Sequence, residues 1–199
     1  GNGATAGATS LAVSGTSNIG ADITTTNNQT YTGAVTMSGG NRILRSNSGT
    51  INNISTINGG GNNLTITGNL NVDDAISNTA IFSVSGTTDL GANVTTTGTQ
   101  TYSGAVTLSG AARTLTTTGD TVTFTGTVNG AQDLTVDTTN SGGSSAATVQ
   151  FGGVVGGTTP VGAIIITGNL NLDGNIIKTS DSSAGATSIN VSGTSDLGA

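Results

Sequence analysis

The stretch VSGTTDLGANVTTTGTQTYSGAVTLSGA, residues 84–111, decides the fold because the chain contains it twice. Residues 13–40 read VSGTSNIGADITTTNNQTYTGAVTMSGG, and 18 of the 28 aligned positions are identical. Where the copies differ, an apolar residue is replaced by another apolar residue, as at Ile19 and Leu90, whereas polar positions change more freely. This is expected when a fixed set of side chains points inward. The start of the phrase returns a third time as VSGTSDLGA from Val191.

The spacing of the copies predicts a stack of layers. The phrases begin at positions 13, 84 and 191, so their offsets are 71 and 107, with a difference of 36. With about 18 residues per layer, the two offsets correspond to four and six layers. A recurring Ser/Thr-Gly pair supports this unit, since Gly86 and Gly104 are one such layer apart. The next intervals, to Gly126 and to Gly153, are longer. We expect the longer layers to carry loops, such as 140–147.

Within a layer, short alternating runs are separated by Gly, Asn and Asp. Residues 63–68 (NLTITG) and 121–126 (TVTFTG) each predict a strand of about four to six residues with its apolar side chains on one face. The predicted fold is an all-β, single-stranded parallel β-helix, or β-solenoid, of about eleven coils of roughly 18 residues. Residues 1–199 are expected to form one continuous segment of a longer repetitive chain. Two sets of aliphatic residues should line its lumen: Val13, Ile19 and Ile23 in the first copy, and Val84, Leu90 and Val94 in the second.

Composition agrees with many thin layers and argues against several functions. The 199 residues include 40 Thr and 33 Gly but only 4 Lys or Arg and 10 acids, all Asp. Aromatic residues make up 3% of the chain, too few for a conventional globular core. Nucleic-acid binding needs convergent cations and is not expected at a net charge of −6. No apolar run approaches the roughly 20 residues of a membrane span, and without Cys there are no disulfides or thiolate metal sites.

Aspartate is the only acid available for acid–base or metal chemistry, and its positions vary between the copies. Asp89 and Asp196 stand where the first copy has Asn18, and Asn93 stands where it has Asp22. A general acid or base cannot become an amide and keep its role. A corner that needs a side-chain oxygen accepts either residue, so these positions are predicted to be turns.

No catalytic, cofactor-binding or metal-binding residue is predicted, and no cofactor is expected. Asp73-Asp74 and residues 173–175 (DGN) could attract a divalent ion, but neither has the convergent oxygens of a good site, so both are predicted to be solvated turns. The absence of His and Cys excludes the usual catalytic triads and zinc sites. Arg42 and Arg113 are equivalent in the two copies and predict a repeated surface position. We therefore expect no enzymatic activity.

Threonine runs and aromatic residues have structural interpretations. Residues 24–26, 95–97 and 116–118 all read TTT, and ranks of outward Thr are how some solenoids bind ice. That function needs Thr-x-Thr in nearly every consecutive layer, whereas these runs shift phase, so Thr is interpreted as a strand former. The aromatic rings are expected to fill wide corners of the coil: Tyr31 and Tyr102 at matching places, and Phe82, Phe124 and Phe151 at irregular spacing.

Three phrases resemble the β-strand repeats of very large bacterial surface proteins. They are TGTQTYSGAVTLSG (97–110), FTGTVNGAQDLTV (124–136) and VQFGGVVGGTTP (149–160). The chain is similar to the filamentous-haemagglutinin-type exoproteins and related autotransporter adhesins over nearly its whole length. This resemblance rests on repeat phrases and not on a catalytic motif. It implies a right-handed parallel β-helix that is exported across an outer membrane and displayed as a fibre.

A structural function is the resulting expectation. The chain is expected to be a segment of an extracellular bacterial fibre or adhesin stalk, a stiff rod at the cell surface or attached to the outer membrane. Because the pattern starts and stops in mid-repeat, its expected partners are further coils of the same chain, or neighbouring copies placed end to end or side by side. A host or cell-surface ligand would bind at a separate tip. The alternatives are a self-assembling sheath or surface-layer component and an ice-binding, Thr-rich solenoid.

Overall fold

The structure, a computed structural model, describes residues 8–139, 147–173 and 188–198. Every regular element in these residues is a β-strand. Short runs rich in Thr, Val and Ile form the strands, and Gly, Asn and Ser occupy the corners between them. In chain order the strands are β1 (Leu11–Val13), β2 (Ser17–Ile19), β3 (Ile23–Thr25), β4 (Gln29–Tyr31), β5 (Val35–Met37), β6 (Arg42–Asn53), β7 (Ile57–Val72), β8 (Ile76–Val84), β9 (Thr88–Leu90), β10 (Val94–Thr96), β11 (Gln100–Tyr102), β12 (Val106–Leu108), β13 (Arg113–Thr116), β14 (Val122–Phe124), β15 (Val128–Asn129), β16 (Leu134–Asp137), β17 (Thr148–Phe151), β18 (Ile164–Thr167), β19 (Asn169–Leu172), β20 (Ile189–Val191) and β21 (Ser195–Asp196).

Parallel pairing arranges these strands into three ladders, which we call face 1, face 2 and face 3. The chain visits the three faces in turn, so three strands make one coil and each strand pairs with its equivalent in the next coil. This confirms the predicted β-solenoid. Face 1 contains 11–13, 29–31, 51–53, 70–72, 88–90, 106–108 and 128–129; face 2 contains 17–19, 35–37, 57–58, 76–79, 94–96, 113–116, 134–137, 164–167 and 189–191; face 3 contains 23–25, 44–46, 64–66, 82–84, 100–102, 122–124, 149–151, 170–172 and 195–196.

The lumen holds the hydrophobic core. In a typical strand such as β12, the first and third residues are buried and the second is exposed. The inward residues join into one hydrophobic cluster that extends from Ile19 to Leu172. Each well-buried aliphatic side chain contributes roughly 1.5–3 kcal/mol of transfer free energy. The predicted lumen residues are confirmed: Ile19, Val84, Leu90 and Val94 are buried, and Val13 and Ile23 pack half-buried against the cluster.

The described residues form about eight turns, somewhat fewer than the eleven coils predicted for the whole chain. The count of eleven used about 18 residues for every coil, although longer layers were expected after Gly104, and only some neighbouring coils, such as those of Phe82 and Gln100, have that length. Other coils are longer, since Val106 pairs with Val128 and Val136 pairs with Ile166. The strand ladders keep their register because the corners absorb the extra residues.

The repeated phrase does not recur at whole coils, which corrects the interpretation of its spacing. On face 1, Val13 pairs with Tyr31, and four coils later the ladder reaches Leu90 rather than Val84. Val84 instead pairs with Ile66 on face 3. Val191, which starts the third copy, lies on face 2. The unit of repetition is therefore the strand with its corner, and each copy of the phrase lies on a different face.

The predicted recurrence of glycine is confirmed: at the corner that follows face 3, each glycine of the series lies one coil after the previous one. A Cβ atom added at Gly104 would overlap the carbonyl group of Gly86, and one added at Gly126 would overlap that of Gly104. Gly153 stacks on Gly126 in the same way. The backbones of successive coils approach so closely at this corner that only glycine fits.

Candidate functional site: the outer surface of the solenoid

Side-chain oxygens at the corners tie one coil to the next. Oδ1 of Asp22 accepts a hydrogen bond from the backbone N–H of Ile43 at 2.9 Å, and Oδ1 of Asn93 accepts one from Thr114 at 2.9 Å. The prediction of a corner at which either a carboxylate or an amide oxygen serves is confirmed for this position. The partner, however, is the backbone of the following coil and not the local turn. The same role belongs to Asn28, Asn41, Asn63, Asn69, Asn129, Asp133 and Asn169.

The turn prediction is wrong for the other variable acidic position. Asn18 and Asp89 are the exposed middle residues of β2 and β9, and Asp196 lies in β21. Asp89 accepts a hydrogen bond from the hydroxyl of Ser109, while Asp196 accepts one from the backbone N–H of Gly198 at 3.1 Å. The position alternates between Asn and Asp because an outward strand residue contacts solvent, where either side chain is tolerated.

The carboxylates at the two candidate cation positions accept hydrogen bonds from protein groups. Oδ1 of Asp74 accepts a hydrogen bond from the N–H of Ala75 at 2.7 Å, and Oδ2 of Asp73 accepts one from Asn71 at 3.1 Å. Oδ2 of Asp173 accepts one from Gln150 at 2.7 Å, while positions 174 and 175 lie outside the described residues. In the described part of the chain, no group of three or more Asp, Glu, His or Cys side chains comes together.

The two equivalent arginines brace the corners that precede them. Nε of Arg113 donates a hydrogen bond to the carbonyl oxygen of Ser109 at 2.9 Å, and a terminal guanidinium nitrogen of Arg42 donates one to the carbonyl oxygen of Ser38. Both side chains are half-buried. The predicted equivalence of the two positions is confirmed, and these contacts give the side chains a structural role, since they satisfy carbonyl groups of a long corner.

A buried polar cluster lies inside the lumen, and sequence reasoning missed it. Nε2 of Gln100 donates hydrogen bonds to the carbonyl oxygens of Val94 and Thr116 at 3.2 and 2.9 Å, and contacts Oγ1 of Thr96 at 3.2 Å. The hydroxyl of Tyr102 donates to Oε1 of Gln100 at 3.0 Å. Because burial disfavours the phenolate, the pKa of Tyr102 lies far above its ordinary value.

The first copy of the repeat builds the same cluster on other faces. Gln29 donates hydrogen bonds to Thr25 and to the carbonyl oxygen of Arg45, and it accepts one from Tyr31 at 2.9 Å. Burial raises the pKa of Tyr31 from 10.0 to about 12. The sequence pattern that could have revealed both clusters is Thr-x-x-x-Gln-x-Tyr, which is identical in the two copies. With their polar groups satisfied, these clusters are structural.

The aromatic rings form a column along the inner side of face 3. The ring centroids of Tyr102 and Phe124 are 5.2 Å apart, and those of Phe124 and Phe151 are 5.0 Å apart, with nearly parallel planes. Phe82 meets Tyr102 edge to face at 5.9 Å. The prediction of stacked rings is therefore confirmed for Tyr102, Phe124 and Phe151. Their predicted place at wide corners is wrong, because all four rings belong to strands of face 3. Their irregular spacing in the sequence reflects the varying coil lengths.

Face 3 also presents two files of hydroxyl groups to the outside on four consecutive coils. In each coil the residues alternate as hydroxyl, buried apolar residue, hydroxyl, and all eight hydroxyl residues are half-buried or exposed. The expectation that Thr-x-Thr does not repeat in successive layers is confirmed here, since it occurs only in the first and fourth of these coils. The files of hydroxyls are continuous because Ser replaces one or both Thr in the two coils between. We call this set the hydroxyl array; it consists of Thr65, Thr67, Ser83, Ser85, Thr101, Ser103, Thr123 and Thr125.

Apolar side chains become accessible at the outermost described coils. In the last one, Ile189 is 42% exposed and Leu197 is 64% exposed, while Val191 is half-buried. In the first, Leu11 and Val13 are half-buried, although their equivalents deeper in the stack are fully covered.

No protein-family model matches the chain, and neither a curated protein nor a solved structure matches it significantly. The described residues contain no helix long and apolar enough to span a membrane. The geometry of the solenoid and of its surface is therefore the basis for a functional proposal.

Proposed function

We propose that this chain is a non-catalytic structural segment of an extracellular bacterial fibre or adhesin stalk, in which stacked coils provide a stiff rod. The observation that carries the proposal is the unbroken hydrophobic cluster in the lumen, with parallel pairing from β1 to β21 around it. Most of the polar and apolar contacts described above hold one coil to the next. With coils about 4.8 Å apart, about eight turns give a rod roughly 40 Å long.

Stiffness follows from the way in which the coils are joined. Each strand donates and accepts backbone hydrogen bonds along the axis, and side-chain oxygens such as those of Asp22 and Asn93 add bonds at the corners. The stability of such a stack is approximately a sum of coil terms and nearest-neighbour interfaces, so cooperativity spreads along the axis. From β1 to β15 the ladders run on all three faces, so none of these coils can bend away from the next without breaking bonds on each face.

The apolar end surfaces support association in series. Ile189 and Leu197 expose the kind of surface that inner coils bury. Among the described residues β20 and β21 pair on one side only, which leaves an edge open to further pairing. Within this proposal the partners are further coils of the same chain or further copies, and the location is the cell surface. Concentration-dependent static light scattering of the full chain tests this association, and a stable monomer at high concentration would count against it.

A self-assembling sheath or surface-layer component remains the alternative within the structural class. In a sheath, neighbouring rods contact one another along their faces, whereas in a stalk a rod continues into a chemically different tip. Negative-stain micrographs of the purified chain distinguish the two, since lateral contacts produce two-dimensional or helical order.

Localisation provides the direct test of the proposal. Antibodies raised against the folded chain should label thin surface projections of intact producing cells in immunogold electron microscopy. Labelling confined to the interior of sectioned cells would overturn the proposal. An antibody against a known internal protein is the matched control for cell integrity.

A further inference from the structure

We propose that the hydroxyl array on face 3 is a binding site for the ordered water lattice of an ice surface. This proposal does not depend on the role of the rod in a fibre, because it concerns one patch of the outer surface. The patch covers four coils, from the pair Thr65 and Thr67 to the pair Thr123 and Thr125. Three observations support it: the spacing of the hydroxyls, the rigidity of their support and the absence of charge.

The spacing of the hydroxyl groups along the axis is close to a natural distance of hydrogen-bonded water. Neighbouring coils of a parallel sheet lie about 4.8 Å apart. Two waters bonded tetrahedrally to a shared third, each at about 2.75 Å, are separated by about 4.5 Å. The hydroxyls of Ser83 and Thr65 are closer than this, 3.3 Å apart, because they are hydrogen-bonded to each other. Over the two intervals from Ser83 through Thr101 to Thr123 the mismatch is about 0.3 Å per coil and about 0.6 Å in all, well below one hydrogen-bond length. Waters bound by the hydroxyls of these three coils can thus belong to one lattice.

The support of the hydroxyl array is rigid. Ser83 pairs with Thr65 on one side and with Thr101 on the other, and its hydroxyl donates a hydrogen bond to Oγ1 of Thr65 at 3.3 Å. Directly behind these strands the ring of Tyr102 stacks on that of Phe124. A surface that is already ordered loses little conformational entropy when it binds a crystal.

The patch carries no charged side chain, and its limits are sharp. The ladder is interrupted before the array by Ile43 and Arg45, which pair with Thr65 and Thr67. It is interrupted after the array by Gln150, which pairs with Thr123. A charged group orients its own hydration shell and would disturb a regular lattice. The five Thr of the array offer a hydroxyl beside a methyl group, and the three Ser offer a hydroxyl alone. The equivalent outward positions on face 1 include Asn52, Asn71, Asp89 and Asn129, which do not repeat this pattern.

The same face is poorly suited to sugar polymers, the other extended ligand with a regular repeat. Platforms for sugar rings use exposed aromatic side chains. The aromatic residues of face 3 all point into the lumen, where Phe82, Tyr102, Phe124 and Phe151 are fully buried. The outward hydroxyls therefore have no stacking surface beside them, and ice is the ligand that the patch fits.

The test measures adsorption of the full chain to ice. Fluorescently labelled protein is expected to be incorporated into a growing ice hemisphere and to open a gap between freezing and melting points. The double variant Thr101→Lys/Thr123→Lys should lose both effects, and Ser103→Lys should weaken them. The matched control Thr107→Lys, at the exposed centre of β12 on face 1, should keep both. Unchanged thermal unfolding of each variant shows that the solenoid is intact.

Three outcomes overturn the proposal. The first is exclusion of the wild-type chain from ice. The second is an equal loss in Thr107→Lys and in the face 3 variants, which would place the activity elsewhere. The third is retention on microcrystalline cellulose or chitin that depends on the hydroxyl array while ice adsorption is absent.

Discussion

The hydroxyl of Tyr102 donates a hydrogen bond to Oε1 of Gln100, 3.0 Å away and fully enclosed in the lumen. The pair Tyr31 and Gln29 repeats this contact at 2.9 Å. Both clusters join two faces of one coil and also reach a backbone carbonyl of the next coil, at Thr116 and at Arg45. They therefore fix a corner from the inside and tie it to the neighbouring coil. A polar group placed in a thin hydrophobic core is tolerated only because its partners are also there.

Removing the Tyr102 hydroxyl should destabilise the solenoid more than the loss of one exposed hydrogen bond. Tyr102→Phe keeps the ring stacked on Phe124 but leaves Oε1 of Gln100 buried without that donor. A stranded buried acceptor costs about 1–3 kcal/mol. Urea unfolding followed by circular dichroism measures the change. A loss below a few tenths of a kcal/mol would show that the cluster is not structural.

Alkaline pH should destabilise the fold through Tyr31. Its pKa is raised from 10.0 to about 12 by burial, so the folded state holds the proton more tightly than the unfolded chain. The stabilising contribution is complete below pH about 10 and is lost as the pH rises through about 12. Urea midpoints between pH 9 and 12 should fall, and Tyr31→Phe should make the fall shallower. An identical pH profile in that variant contradicts this prediction.

A methyl group at Gly104 should disrupt the stack. Its Cβ would overlap the carbonyl oxygen of Gly86, and this backbone cannot move without breaking the ladder. Gly104→Ala is expected to cost about 3 kcal/mol or more. Gly15→Ala is the matched control, because a Cβ there meets nothing within 4 Å. Similar melting temperatures for the two variants would rule out the close approach of the coils.

Thr88 offers a stabilising substitution. Its hydroxyl is buried and has no hydrogen-bond partner, and its ladder neighbours Leu70 and Val106 are aliphatic. Thr88→Val should therefore raise the free energy of unfolding by about 1 kcal/mol. Thr96→Val is the control with the opposite sign, because that hydroxyl donates a hydrogen bond to the carbonyl oxygen of Gly98 at 2.6 Å. Destabilisation in both variants would contradict this assignment.

The strands and the lumen could be predicted from the sequence because they depend on a local pattern. Alternating runs such as 121–126 predict which side chains point inward, and in the structure Val122 and Phe124 are buried in the lumen. The identity of the two copies also showed that the apolar positions are fixed. The intervals between Gly86, Gly104 and Gly126 also predicted the length of each coil correctly, even where that length changed.

The number of coils and the face of each copy could not be predicted, because they depend on corner lengths. Strands on all three faces have the same pattern of buried and exposed residues, so the sequence of a strand does not predict which face it joins. A copy that begins at Val84 fits face 3 as well as Val13 fits face 1. The hydroxyl array was missed for the same reason, since Thr101 and Thr123 become neighbours only through the pairing of strands from successive coils of unequal length.

The change of face between copies determines how the rod meets its surroundings. Val13, Val84 and Val191 open the same phrase on three different sides and at three heights. The outward residues of the phrase therefore point in three different directions around the axis, and any molecule that recognises them would meet its binding sites on different sides of the rod.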